Sequence, residues 1–153
     1  SLPKLNPRGR AAGKMGILMT IKDVSTNTIK QLIVIFYVSA LFVQVLVIMK
    51  VIPYDWVNGG MSKSYEVQLV QSLMSLVIIS VLFIFVLGLA SQNGKVKQWK
   101  LRALYAITFF WLLGLFLQIA GTEFERYVLS LNLLLGVISH EMLVWRTRLS
   151  MSP

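Results

Sequence analysis

Four long apolar stretches, three without Asp, Glu, Lys or Arg and the fourth with Glu141 alone, limit what this chain can fold into. The first runs from Gln31 to Met49 between Lys30 and Lys50, and the second from Val67 to Gly94, most apolar between Leu69 and Ala90. The third runs from Ala103 to Thr122 between Arg102 and Glu123, and the fourth from Tyr127 to about Trp145. A helix rising about 1.5 Å per residue needs about 20 such residues to cross a hydrocarbon layer of about 30 Å. None of the stretches alternates apolar and polar residues with period two, so a membrane β-barrel is disfavoured. The expected fold is all-α: an integral membrane, antiparallel four-helix bundle, with spans at about 31–50, 67–91, 103–121 and 127–145. Short connections would make sequential helices neighbours.

Composition becomes informative against that frame. The chain carries 15 Lys+Arg against 6 Asp+Glu, a net charge of +9, although 56% of its residues are hydrophobic and only 14% are charged. A soluble nucleic-acid binder of this size would carry more charge and less apolar residue, so nucleic acid is not an expected partner. Most of the positive charge instead lies on one side of the spans. Residues 1–30 hold Lys4, Arg8, Arg10, Lys14, Lys22 and Lys30. The second connection holds Lys95, Lys97, Lys100 and Arg102, and the tail Arg146 and Arg148. The first and third connections hold only Lys50, Lys63 and Arg126, an asymmetry of twelve to three. The positive-inside rule then places both termini in the cytoplasm (N-in/C-in) of a bacterial plasma membrane, or in the matrix if the membrane is the mitochondrial inner one.

Three regions are expected. Residues 1–30 form a basic, flexible arm, 31–146 the four-helix transmembrane domain, and 147–153 a short tail. Met15 and Met19 are both possible initiation sites, so part of the arm is read as foreign to the native start or as a targeting remnant. The first apolar stretch is too long for a signal-peptide core. The residues from Asp23 to Thr28 are rich in side chains that cap a helix start.

The candidate site lies on the outer side. Pro53 ends the first helix, and Asn58-Gly59-Gly60 tolerates the positive φ of a tight reversal. Between them stand Tyr54, Asp55 and Trp56, either interface anchors or part of a ligand-gating loop. At similar depth the spans carry Gln44, then Gln68, Gln71, Ser72 and Ser75 on one face of the second helix, then Gln118, then Ser130 and Asn132. Amides in hydrocarbon need partners and should face the bundle interior. They serve either as interhelical glue or as the lining of an outward-facing polar cavity. The ligand-binding candidates are therefore Gln44, Tyr54, Trp56, Asn58, Gln68, Gln71, Gln118 and Asn132.

Ser139-His140-Glu141 places two ionisable residues in the fourth span, where burial is costly and function is the default reading. Glu141 also lies near enough to the inner surface to reach water or pair with Lys100 or Arg102. Lys95, Lys97, Lys100 and Arg102 serve as topology determinants or as contacts for anionic lipid. With no Cys and one His, no metal site or cofactor is expected. Phosphate-loop, zinc-helix and serine-elbow motifs are missing, so an enzyme is not expected. The leading functional expectation is a small membrane protein binding a lipid or amphipathic ligand in the intramembrane cavity. An accessory subunit of a larger membrane complex comes second, and a transporter or channel acting as a homo-oligomer third.

Because the chain lacks Cys, single introduced thiols report sidedness cleanly. In intact cells a membrane-impermeant maleimide should label Lys63→Cys and spare Lys97→Cys; the opposite pattern would invert the topology.

Overall fold

The computed structural model describes residues 25–151 apart from Asn93, so the basic arm before Ser25 lies outside the described residues. No strand occurs among those described, and four helices are long and apolar enough to cross a membrane. They are α1 (Thr26–Ile48), α2 (Tyr65–Ala90), α3 (Gln98–Ile119) and α4 (Ser130–Met151), the last preceded by a π turn at Glu125–Leu129. α1 starts five residues before the expected span because Ser25 caps it, its hydroxyl accepting from the Thr28 N–H at 3.2 Å. α4 likewise runs through the expected tail as far as Met151.

The helix ends explain the connections. α1 closes with Val51 N–H donating to Leu46 O (2.9 Å) and Lys50 N–H to Val47 O (3.0 Å), and Lys50 takes the left-handed conformation at φ 60°. That is a Schellman closure with lysine in the place glycine usually fills. The Lys50 ammonium lies 4.2 Å from the centroid of the Tyr65 ring, whose hydroxyl donates to Ile48 O. Arg146 of α4 donates to Ala90 O at the end of α2 (3.1 Å), and Arg126 donates to Ile119 O at the end of α3 (3.0 Å). Cations at helix C-termini meet the negative end of the dipole and satisfy carbonyls that have no intrahelical partner.

Inside the bundle, all four helices meet on one aromatic cluster. Phe36 and Tyr37 of α1, Phe83 of α2, Trp111 of α3 and His140 of α4 pack with ring centroids 4.9–6.0 Å apart. Gly136 lets Phe36 reach that cluster, since a methyl group there would stand 2.5, 2.6 and 2.8 Å from three Phe36 ring carbons.

The packing departs from the expected neighbour order. α1 lies along α2 and α4, and α3 along α4, but α2 and α3 barely touch. The reason lies in the connections. Ile119 and the helical residue Glu123 are separated by a tight turn that forces α3 against α4, whereas the looser Ser91–Lys97 link, with Gly94 at φ 112°, lets α3 swing away from α2. Large side chains such as Val70, Met74, Val81, Ile84, Phe109 and Phe116 remain exposed around the bundle. A surface of that kind is consistent with an integral membrane protein and foreign to a soluble monomer.

Gly136→Ala should lower stability by about 1–3 kcal/mol through overpacking against Phe36. Thermal unfolding in detergent checks this, and Phe36→Leu in the same chain should recover part of the loss.

Candidate functional site

The end of the bundle remote from Thr26 and Met151 is roofed by the 49–64 connection. Its two short 3-10 turns, Tyr54–Trp56 and Asn58–Gly60, pack down through buried Ile52 and Val57 onto Val47 and Leu129. Asn58, Gly59 and Gly60 all adopt positive φ (54°, 66° and 67°), as the sequence leads one to expect. This left-handed run turns the Gly59 N–H inward, where it donates to both carboxylate oxygens of Glu125 at 2.9 and 3.1 Å.

Glu125 is the residue that sequence reasoning missed. It is buried, 4% exposed, and also accepts from the Thr122 N–H at 2.9 Å, while the Glu125 N–H donates to Thr122 Oγ1 at 3.3 Å. Thr122-x-x-Glu125 is a capping box that starts the fourth helix, and that spacing was visible as the local signal. What the spacing does not show is that the same carboxylate reaches across to the roof. Thr122 Oγ1 adds a second tie by donating to Trp56 O at 2.6 Å. Gly121 leaves space for the carboxylate, since a Cβ there would stand 3.0 Å from Glu125 Cδ.

The amides divide among three jobs. Gln68 is buried and holds the roof: its Oε1 accepts from Asn58 Nδ2 (2.9 Å) and Ser62 Oγ (2.6 Å), and its Nε2 donates to Ser72 (3.1 Å). Asn132 acts as interhelical glue, its Oδ1 accepting from Ser39 Oγ of α1 at 2.5 Å. Gln71, Ser75 and Gln118 line a cleft of about 760 Å³ between α2 and α3, with Asn58, Gly59 and Glu125 at its roofed end. That volume falls within the range of small-molecule sites.

Gln71 Oε1 is satisfied by Asn58 Nδ2 at 2.8 Å, but Gln118 Oε1 is fully enclosed with no donor among the described residues. Below the polar end the walls become apolar, with Met74, Ile78, Gly114 and Leu117. Met74, Ile78 and Leu117 are exposed, so the cleft opens sideways between the two helices, beneath the roof. Gln44 lies apart in a side cavity of about 160 Å³ that shares Gly114 and Gln118 with the cleft and also touches Trp111 and Asn132.

Tyr54 and Trp56 do not reach the cleft. The Trp56 ring packs against Phe124 at 5.8 Å, and Tyr54 stands on the surface. Neither side chain is among those that line the cleft.

His140 and Glu141 are not brought together. Adjacent helical residues point about 100° apart, so His140 enters the core while Glu141 stays exposed. His140 Nδ1 donates to Gly136 O (2.7 Å), and Nε2 shares a hydrogen bond with the Tyr37 hydroxyl (3.0 Å). With both ring nitrogens occupied, His140 ties α4 to Tyr37 of α1. At the opposite end, Lys95, Lys97 and Arg102 are exposed, whereas Lys100 pins its own connection by donating to Gln92 Oε1 at 3.0 Å. No group of three or more metal-ligating side chains occurs among the described residues.

No family model matches the chain, and neither a curated protein nor a solved structure is similar to it.

Glu125→Gln keeps the shape but halves the acceptors, leaving backbone donors unpaired at a cost of about 1–3 kcal/mol. Amide hydrogen exchange at Gly59 and Thr122 should rise at least about tenfold, while exchange in the centre of α1 stays unchanged.

Proposed function

We propose that this chain is a non-enzymatic integral membrane protein that holds a lipid or small amphipathic molecule in the cleft between α2 and α3. With both termini on the cytoplasmic side, the roofed end faces outward and the polar end of the cleft lies at the depth of the outer headgroups. The observation that carries this reading is the cleft's gradient, from Gln71, Gln118 and Glu125 at the roofed end to Met74 and Ile78 deeper in. A bilayer amphiphile has the same gradient in the same direction. The roof and the sideways opening favour access from the bilayer over access from water. Helices left unpacked in a membrane gain nothing from excluding water, so an open seam of this size favours an occupant that supplies the missing van der Waals contact.

A second reading, an accessory subunit of a larger membrane complex, is favoured by Glu141. An exposed carboxylate on a span is costly in lipid and would be relieved by a donor on a partner helix. The basic connection, with Lys95, Lys97 and Arg102 exposed, suits anionic headgroups on the cytoplasmic side at about 1 kcal/mol per charge.

Ser75→Trp would fill the cleft from α2 without touching the aromatic cluster. Native mass spectrometry of gently extracted protein should show a bound amphiphile on the wild type and its loss from this variant. Equal retention by both would place any ligand elsewhere.

A further inference from the structure

The polar end of the cleft is one-sided in charge. Among the described residues its walls carry one acid, Glu125, and no Lys, Arg or His. Two of its acceptors have capacity to spare. Gln118 Oε1 is enclosed without a donor, and a buried acceptor of that kind is a standing cost until a donor arrives. Glu125 Oε1 receives only the Gly59 N–H, at 3.1 Å, whereas Oε2 is shared by Gly59 and Thr122; a carboxylate oxygen has room for a second donor. The nearest base in the chain, Arg126, is exposed and committed to the carbonyls of Ile119 and Gly121.

Charge over the wider surface points the same way. On the roofed side Asp55, Glu66, Glu123 and Glu125 stand against Lys50, Lys63 and Arg126, in contrast to the strongly basic opposite side. An anionic head entering here would meet a carboxylate in a low-dielectric wall and no counter-charge. The tail has a matching track. Met74 and Ile78 belong both to the cleft and to an adjoining, wholly apolar groove on α2 with Leu73 and Val77. From Gln71 to Ile78 the helix advances about 10 Å, directed away from the roof.

We infer that the cleft selects an amphiphile with a primary ammonium head, its N–H groups shared between Gln118 Oε1 and Glu125 and its apolar tail lying along Met74 and Ile78. This rests on the reading of the cleft as a ligand site and names the head that site accepts. Two sources carry that chemistry, an ethanolamine lipid and a free long-chain alkylamine.

The test uses the full chain in detergent, with dodecylammonium, dodecyltrimethylammonium, dodecanol and dodecyl phosphate as probes, read by thermal shift and native mass spectrometry. Dodecylammonium should bind at least about tenfold more tightly than the trimethylated and neutral probes, which lack its N–H donors or its charge. Gln118→Leu should weaken dodecylammonium at least about tenfold while the unliganded melting temperature stays at or above the wild-type value, since the unpaired acceptor is removed. Glu125→Gln, which also loosens the roof, serves as a second variant and should lose the preference for the charged probe. In nanodiscs, retained phosphatidylethanolamine over phosphatidylcholine assigns the lipid source, and retention of dodecylammonium without that preference assigns the free amine. Tighter binding of dodecyl phosphate or dodecanol would overturn the ammonium head while leaving the cleft as a site. Failure of every probe to bind would overturn the cleft reading itself.

Discussion

A helix leaves its first N–H and last C=O groups without partners, and hydrocarbon supplies none. The architecture of this protein follows from how those ends are met. Tyr65 closes α1, Arg146 closes α2, Arg126 closes α3, and Thr122 with Glu125 opens the fourth helix. Each of the first three is borrowed from another helix, or from the turn leading into one, so satisfying an end also fixes a neighbour. Glu125 goes further, because after capping its own helix it still accepts from Gly59 and thereby holds the roof. The cleft has a polar ceiling because a helix cap has capacity to spare.

The centre of the bundle is held by shape. Lipid tails are as apolar as leucine, so burying an apolar side chain between helices gains mainly from close contact. The aromatic cluster provides it: Phe36 meets Trp111 edge-on at 5.1 Å and 83°, and Tyr37 stacks on Phe83 at 5.1 Å and 18°. The Tyr37–His140 hydrogen bond orients two of these rings and leaves the imidazole fully satisfied. With α1, α3 and α4 drawn together here, and α2 held by α1, the seam between α2 and α3 is the side left open.

Much of the fold was legible because it follows local rules. Apolar runs announced the four helices, the Asp23 to Thr28 stretch announced a capped start without saying which residue caps it, and Asn58-Gly59-Gly60 announced a left-handed turn that the structure contains. The site was legible only in part. Gln71, Gln118 and Asn58 do line one cleft, but Gln68 ties the roof, Asn132 ties α1 to α4, and Trp56 packs on Phe124. Matching depth places an amide in a layer of the bundle without saying which way it turns. Glu125 was overlooked for the same reason, since Thr122-x-x-Glu125 predicts a cap while its second partner, Gly59, is 66 residues away in the chain.

By itself the sequence determined how many helices form and where the chain reverses, because hydropathy, capping side chains and glycine act over a few residues. Only the tertiary structure decided which helices pack and which stand apart, because contacts such as Gly136 on Phe36 act between residues far apart in the chain. It also decided that His140 turns inward and Glu141 outward, since a step of about 100° between adjacent residues has meaning only once a neighbouring helix occupies one side. The cleft belongs to that second class: its walls are written in two helices, and its opening comes from the contact those helices do not make.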